Sequence, residues 1–200
     1  ERDAARRETG WPPEAFIVGY AGRLQTMGMD KGLGTLVDAL AQLDGAALAL
    51  VGGPDDMAAA LHRRWLERGL SEADFLYAGQ VAPARVPLYL RAFDVCAMPH
   101  PWTRQFAYYT SPLTLCEYLA AGRPVGASDL PAWADVVQDG DTALLVPPGD
   151  ADALAAAIAR LRADPDLRDR LAANARARAL ARYTWDARAR AILDHIRRSD

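Results

Sequence analysis

The sequence predicts an α/β fold: a doubly wound parallel sheet of about six strands, helices on both faces and a helical C-terminal tail. Two observations carry this. Short apolar runs alternate with amphipathic segments along most of the 200 residues. The runs are continuously apolar, as in strands covered on both faces, rather than alternating as in a half-exposed sheet.

The elements follow in order. Residues 16–21 read as a buried strand, and residues 33–43 carry Leu33, Leu36, Val37, Leu40 and Leu43 at helical spacing. Residues 46–51 form a second strand, closed by Gly52-Gly53-Pro54, with a helix over 55–70. A third strand at 75–78, a helix at 84–93, a fourth strand at 95–98 and a helix at 111–121 continue the alternation. A fifth strand at 124–127, a short helix at 132–137 and a sixth strand at 143–146 complete the sheet. Helices at 151–162, 165–183 and 186–197 make the tail.

Composition narrows the function. A chain of 200 residues fits one domain and can bury a core of its own. The net charge of −3 offers no basic face for nucleic acid, and the arginines of the last third read as a solvated helix face. Cys96 and Cys116 each lie inside an apolar segment, which predicts buried thiols and neither a disulfide framework nor a metal site. The charged opening Glu1-Arg2-Asp3 predicts no signal peptide at this terminus. No apolar run approaches the roughly 20 residues of a membrane span. Together these predict a cytoplasmic protein. A start without Met, helical in character, predicts that the chain is part of something longer.

Ligands of such sheets sit beyond the carboxyl ends of the strands. That directs attention to residues 22–32, 52–55, 79–84, 99–112 and 128–131. The first of these loops holds Gly22, Arg23, Lys31 and Gly32: two cations that suit a diphosphate, or an exposed turn with two surface cations. It has no Gly-Lys-Ser/Thr, and Gly32-Leu33-Gly34 is followed by Val37 where a dinucleotide fingerprint requires a third Gly. The run from Thr110 to Gly122 is sharper. Ser111 is expected to cap the helix, with Pro112 as its first residue and Gly122 at its end. The free N–H groups of Leu113 and Thr114 then face the ligand edge. Glu117, among Leu113, Leu115, Leu119 and Ala120, is expected near the core. It needs a partner there, either a ligand's vicinal diol or a neighbouring Arg or backbone N–H.

Several of these motifs stand in order. Gly22-Arg23-Leu24 precedes Lys31-Gly32, Val51-Gly52-Gly53-Pro54 follows, and Ser111-Pro112-Leu113 leads through Glu117-Tyr118-Leu119-Ala120-Ala121-Gly122-Arg123-Pro124-Val125. Ala127-Ser128-Asp129-Leu130-Pro131, Asp139-Gly140 and Leu144-Leu145-Val146-Pro147-Pro148-Gly149-Asp150 complete the series. Over most of residues 15–195 the chain resembles the C-terminal domain of family 4 (group 1) glycosyltransferases of GT-B architecture.

The resemblance implies a Rossmann-like nucleotide-sugar-binding domain at residues 15–183. Residues 1–14 would be an interdomain linker helix, and residues 184–200 a closing helix that packs toward an N-terminal acceptor domain. It implies transfer of a glycosyl unit from a nucleoside diphosphate sugar with retention, without a metal or other cofactor. Arg23 and Lys31 would neutralise the diphosphate, and Glu117 would hold the ribose. Gly79, Gln80 and Val81 would meet the base through backbone groups. Gly22, Gly53, Tyr109, Thr110, Ser111, Pro112, Leu113 and Thr114 would line the donor site. Any membrane contact would come through the other half, with a lipid-linked or polysaccharide acceptor in bacteria.

The sequence departs from the family's pattern twice. The first acid of the Glu-x7-Glu motif is replaced by Tyr109, and no Asp or Glu lies between Asp94 and Glu117. Arg23 and Lys31 are also further apart than in many relatives, so their loop either folds over the phosphates or loops out. The first departure keeps a second reading open, a nucleotide-sugar-binding module without turnover. A receiver-like domain fits poorly, because the strand ends are Gly22, Gly52, Gly79 and Pro99 rather than an acidic cluster. Trp102, Arg104, Phe106, Tyr108 and Tyr109 either stack on a sugar or pack on another domain. His62, His100 and His195 stand apart in the sequence, with only His100 near the ligand edge.

Overall fold

A computed structural model describes residues 1–199. Among them, β1 (Phe16–Ala21), β4 (Ala46–Val51), β5 (Phe75–Tyr77), β6 (Val95–Met98), β7 (Val125–Ser128) and β8 (Leu144–Val146) form one parallel sheet in the order β5-β4-β1-β6-β7-β8. Side chains of each strand alternate between two apolar cores. Ile17, Ala47, Ala49, Cys96 and Val125 face one; Val18, Tyr20, Leu48, Leu50 and Ala97 face the other. Both faces are dry, which is why the strands read as unbroken apolar runs.

On the Ile17 face lie α4 (Val86–Ala92), α5 (Arg104–Tyr108) and α6 (Leu113–Ala120). On the Val18 face lie α2 (Leu33–Leu40), α3 (Asp55–Glu67) and α7 (Ala151–Ala163). Helix α8 (Pro165–Arg182) serves both, with Leu167 and Leu171 in one core and Ala175 and Ala179 in the other.

Several boundaries differ from expectation. The loop 22–32 contains a small antiparallel hairpin, β2 (Gln25–Thr26) with β3 (Met29–Asp30), turned by Met27 and Gly28 at positive φ. The loop 99–112 contains α5, started by the Thr103 hydroxyl, which accepts from Phe106 N–H at 3.1 Å. The 84–93 segment divides into a 3-10 turn, Pro83–Arg85, and α4. The 132–137 segment is only a 3-10 turn, Pro131–Trp133, pinned by Trp133 Nε1–H to the Ser128 carbonyl at 2.8 Å. Helix α9 (Trp185–Ser199) stands at the end, with Trp185, Ile192, Leu193 and Ile196 exposed; Asp200 lies outside the described residues.

The opening segment is tied down by charge. Helix α1 (Arg2–Thr9) buries Arg6 to 1% exposure. Its guanidinium donates to Asp94 Oδ2 at 2.6 Å and to the carbonyls of Ala92, Pro13 and Ala15 at 2.9, 2.6 and 2.8 Å. Asp94 also accepts from the Ile17 N–H at 2.7 Å, so the pair joins α1 to the start of β1 and of β6. Arg2, on the outer side, reaches Asp94 Oδ1 at 2.9 Å from a side chain 44% exposed.

Removing one member of a buried pair leaves the other charge and its carbonyl partners stranded, so Arg6→Ala is expected to cost about 3–5 kcal/mol of stability. Arg2→Ala, which cuts a solvent-screened contact, should cost less than about 1 kcal/mol. Urea unfolding of the two variants tests the contrast; equal costs would show that Arg6 does not carry the junction.

Candidate functional site

Strand order reverses between β1 and β6, and the crevice there is where a doubly wound sheet binds its ligand. Backbone hydrogen bonds join the loops beside it: Gly22 N–H to Val51 O at 2.8 Å, Leu24 N–H to Gly53 O at 2.9 Å and Gly52 N–H to Gly79 O at 2.7 Å. Gly52 has φ +130°, and a Cβ there would lie 2.0 Å from the Gly22 carbonyl oxygen, so only glycine permits the approach. The loops enclose a cavity of about 640 Å³, lined among others by Gly22, Arg23, Gln25, Gly53, Gln80 and Val81.

The β2–β3 hairpin folds onto this cavity rather than looping out, since Gln25, Met27 and Gly28 belong to its wall. Arg23 is exposed there. Lys31 follows β3 directly and is half-buried; burial, and secondarily Arg23, hold its ammonium below the usual lysine range. Among the described residues no ion pair ends on Arg23 or Lys31, so the two cations concentrate positive charge beside the cavity. Gly32 caps α2 at φ +80°, and a Cβ on it would fall 1.8 Å from the Pro99 carbonyl oxygen, so the Lys31 turn and the β6 exit are in contact.

Helix α6 corrects two expectations. Pro112, not Ser111, is its cap: Pro112 has ψ 42°, outside the helical region, and its carbonyl accepts the first intrahelical bond, from Cys116 N–H at 3.0 Å. The amides of Leu113, Thr114 and Leu115 precede that bond. Glu117 does not lie near the core. Helical spacing buries Leu115, Tyr118 and Leu119, and turns Glu117 to the exposed side with Leu113 and Ala120. Apolar neighbours in sequence were thus not its neighbours in space. Its carboxyl pKa is nonetheless raised, by partial desolvation, and no hydrogen bond or ion pair ends on it among the described residues.

Glu117 lines a second cavity, of about 410 Å³, between α4 and α6 with Arg91 and Arg176 on its walls. The two cavities share Pro83 and Val86 and so adjoin. Arg23, Gly22, Gly53, Gln80 and Val81 are brought to the first cavity and Glu117 to the second; Gly79 bonds to Gly52 beside them. Lys31, Tyr109, Thr110, Ser111, Pro112, Leu113 and Thr114 line neither. Tyr109 is 63% exposed beside Arg104, and the Thr110 hydroxyl donates to Gln105 O at 3.1 Å. Thr114 does approach the site from behind: its Oγ1 would stand 3.5 Å from a Cβ on Gly22.

Sequence reasoning missed two residues. Tyr118 and Tyr20, both fully buried, aim their hydroxyls at the turn after β1. Neither polarity nor spacing distinguishes them from ordinary core tyrosines. His100, expected in a loop, is 1% exposed, edge-on to Phe106 and Trp133, and its Nδ1 has no hydrogen-bond partner among the described residues.

Residues 15–164 match the family of glycosyl transferases group 1. The chain belongs to the group 1 glycosyltransferases. It is 34% identical over 194 residues to the phosphatidyl-myo-inositol mannosyltransferase of Mycobacterium leprae, covering 95% of this chain and 48% of that protein. Among solved structures it resembles sucrose-phosphate synthase from Thermosynechococcus elongatus, with TM-score 0.80 and 32% identity over 97% of this chain and 48% of that one. It also resembles Anabaena Alr3699/HepE, solved in complex with UDP, with TM-score 0.79 and 27% identity over 97% and 51% of the two chains. The same protein has been solved with UDP-glucose. The group 1 chain described here spans about half the length of these relatives. No described helix is long and apolar enough to cross a membrane.

In this glycosyltransferase domain burial, and secondarily Lys31, push the His100 imidazole down to about 3. The unfolded chain takes up a proton near the ordinary value of about 6.5, and the folded one does not. The histidine's contribution is therefore full above about pH 6.5 and is lost as pH falls toward 3. Wild type is expected to lose stability relative to His100→Gln between about pH 7 and pH 4, measured by urea unfolding. A pH-independent difference would mean that the buried imidazole protonates in place.

Proposed function

We propose that this domain is the donor-binding half of a glycosyltransferase, taking a nucleoside diphosphate sugar whose glycosyl unit passes, with retention, to an acceptor held by another half. The observation that carries the reading is Arg23 on the wall of the crevice, with Lys31 close enough to feel its charge, beside an adjoining groove that presents Glu117. Two adjoining cavities, one carrying a cation and the other a carboxylate, suit an elongated ligand with an anionic middle and a diol. Arg23 and Lys31 would offset the diphosphate charge, which grows as the glycosyl bond breaks; preorganised charge of this kind lowers such a barrier. The amides at the start of α6 add partial positive charge. Glu117 would accept hydrogen bonds from the ribose, and the loop 79–81 would meet the base. The proposal needs no metal. The complexes of Alr3699/HepE with UDP and UDP-glucose support a uridine nucleotide as the first probe. The exposed apolar side of α9 supports a partner half that covers it.

A second reading, sugar-nucleotide binding without turnover, is favoured by Tyr109, which stands exposed where a carboxylate is expected, with no acid between residues 95 and 116. Turnover assays of a longer protein containing both halves, over a panel of donors, separate the two. Residues 1–200 alone are expected to bind and to transfer nothing; transfer at full rate by this chain would overturn the division of labour.

Arg23→Ala and Lys31→Ala should each weaken UDP binding roughly 10- to 150-fold, the value of one charge-assisted hydrogen bond, while leaving uridine affinity unchanged. Calorimetry with both ligands decides, and equal losses for both would point to misfolding.

Glu117→Gln should weaken UDP and uridine alike by about 1–3 kcal/mol. Its melting temperature should hold, because the carboxylate has no ion-pair partner among the described residues to strand. The raised pKa sets the pH dependence: the ionised carboxylate is the better acceptor, so affinity should fall as pH drops through that pKa in wild type and not in Glu117→Gln. Undiminished affinity of wild type for 2′-deoxyuridine would refute the ribose role.

A further inference from the structure

Two hydroxyls from opposite faces of the sheet converge on the turn that follows β1. From the Ile17 face, Tyr118 of α6 accepts from the Ala21 N–H at 2.8 Å and donates to the Ala21 carbonyl at 3.0 Å. From the Val18 face, Tyr20 donates to the Arg23 carbonyl at 2.8 Å. Between them lies Gly22, at φ +146°, where an added Cβ would stand 3.4 Å from the Tyr20 hydroxyl and 3.5 Å from Thr114 Oγ1. The carbonyl on one side of this turn and the carbonyl on the other are therefore each held by a buried side chain, and the residue between them has no side chain of its own.

The need for Tyr118 follows from the sheet. β1 pairs with β6 only at Val18–Val95 and Gly19–Cys96. Beyond that point the strands part to open the crevice, leaving the β6-facing N–H and C=O of Ala21 without a strand partner. The tyrosine hydroxyl, which can donate and accept at once, supplies both bonds. An unsatisfied buried amide would otherwise favour a shifted turn.

We propose that Tyr118 and Tyr20 form a clamp that holds the Ala21–Leu24 turn in the one conformation that aims Arg23 at the ligand's diphosphate, making both tyrosines positioning residues for that group. The proposal rests on the donor-site reading above. Burial raises the pKa of both hydroxyls, so both keep the proton they donate throughout the working range. Tyr118 is also the residue after Glu117 on α6, so one side chain anchors the helix carrying the proposed ribose ligand to the strand carrying the phosphate turn. The clamp ties the two adjoining cavities into a fixed relation.

The test uses Tyr118→Phe and Tyr20→Phe, which remove only the hydroxyls and keep the ring packing. UDP, UMP and uridine are titrated into wild type and both variants by calorimetry, with thermal melts alongside. The clamp predicts a loss of UDP affinity on the order of ten-fold in each variant, with uridine affinity unchanged in Tyr20→Phe. A purely structural hydroxyl would lower the melting temperature and leave the ratio of UDP to uridine affinity where it was. Should Tyr118→Phe fail to fold, Tyr20→Phe carries the test, because its single bond closes no gap between strands. Wild type that does not bind UDP would overturn the donor-site reading and the clamp with it. Normal wild-type binding with an unchanged UDP-to-uridine ratio in the folded variants would overturn the clamp alone.

Discussion

The parting of β1 from β6 is the constraint around which the molecule is arranged. A doubly wound sheet obtains its binding crevice by letting two central parallel strands diverge, and each divergence frees backbone groups that must be satisfied in a dry interior. Here β1 is completed at both ends of its β6-facing edge with the help of a side chain. At the start, Asp94 exchanges bonds with Ile17: the Ile17 N–H donates to the carboxylate, and the Ile17 carbonyl accepts from the Asp94 N–H. At the end, the Tyr118 hydroxyl does the same for Ala21. Only between these points does β6 supply main-chain partners.

Each of those side chains brings something with it. Asp94 brings the buried Arg6, and with it α1 and the turn through Pro13 and Ala15. Tyr118 brings α6, whose exposed side presents Glu117. Satisfying the central strand therefore also positions the opening helix and the proposed ribose ligand. The crevice is then built by close backbone approaches, Gly52 over Gly22 and Gly32 over Pro99, which bring the exits of β1, β4 and β6 nearer than side chains would allow.

Much of this was legible in sequence because it depends on short-range pattern. Phe16–Ala21 and Ala46–Val51 are apolar at every position, and such runs bounded by glycine have few alternatives. The loops at the strand exits follow from the alternation, and Gly53, Gln80 and Val81, which the family resemblance implies there, line one cavity with Arg23. The errors came where the outcome depends on geometry between distant segments. Ser111 has a good capping side chain, yet the chain enters α6 through Pro112. Glu117 was read as near the core because Leu115 and Leu119 flank it, although the helix turns those residues inward and the carboxylate outward. Its two cationic wall residues, Arg91 and Arg176, lie far away in sequence and gave no signal.

The sequence by itself determined the doubly wound class, the order of strands and helices, and the loops that could carry a ligand. All of these follow from hydrophobic periodicity and from Gly and Pro at strand ends, which act within a few residues. The tertiary structure alone decided that Arg6 is a buried junction rather than a solvated charge, that Glu117 faces an open groove, that His100 is sealed between Phe106 and Trp133, and that Tyr118 completes a strand 97 residues away. The reason is common to all four. Burial and hydrogen-bond satisfaction are properties of the assembled packing, and a side chain's partners across the sheet are not encoded in its neighbours along the chain.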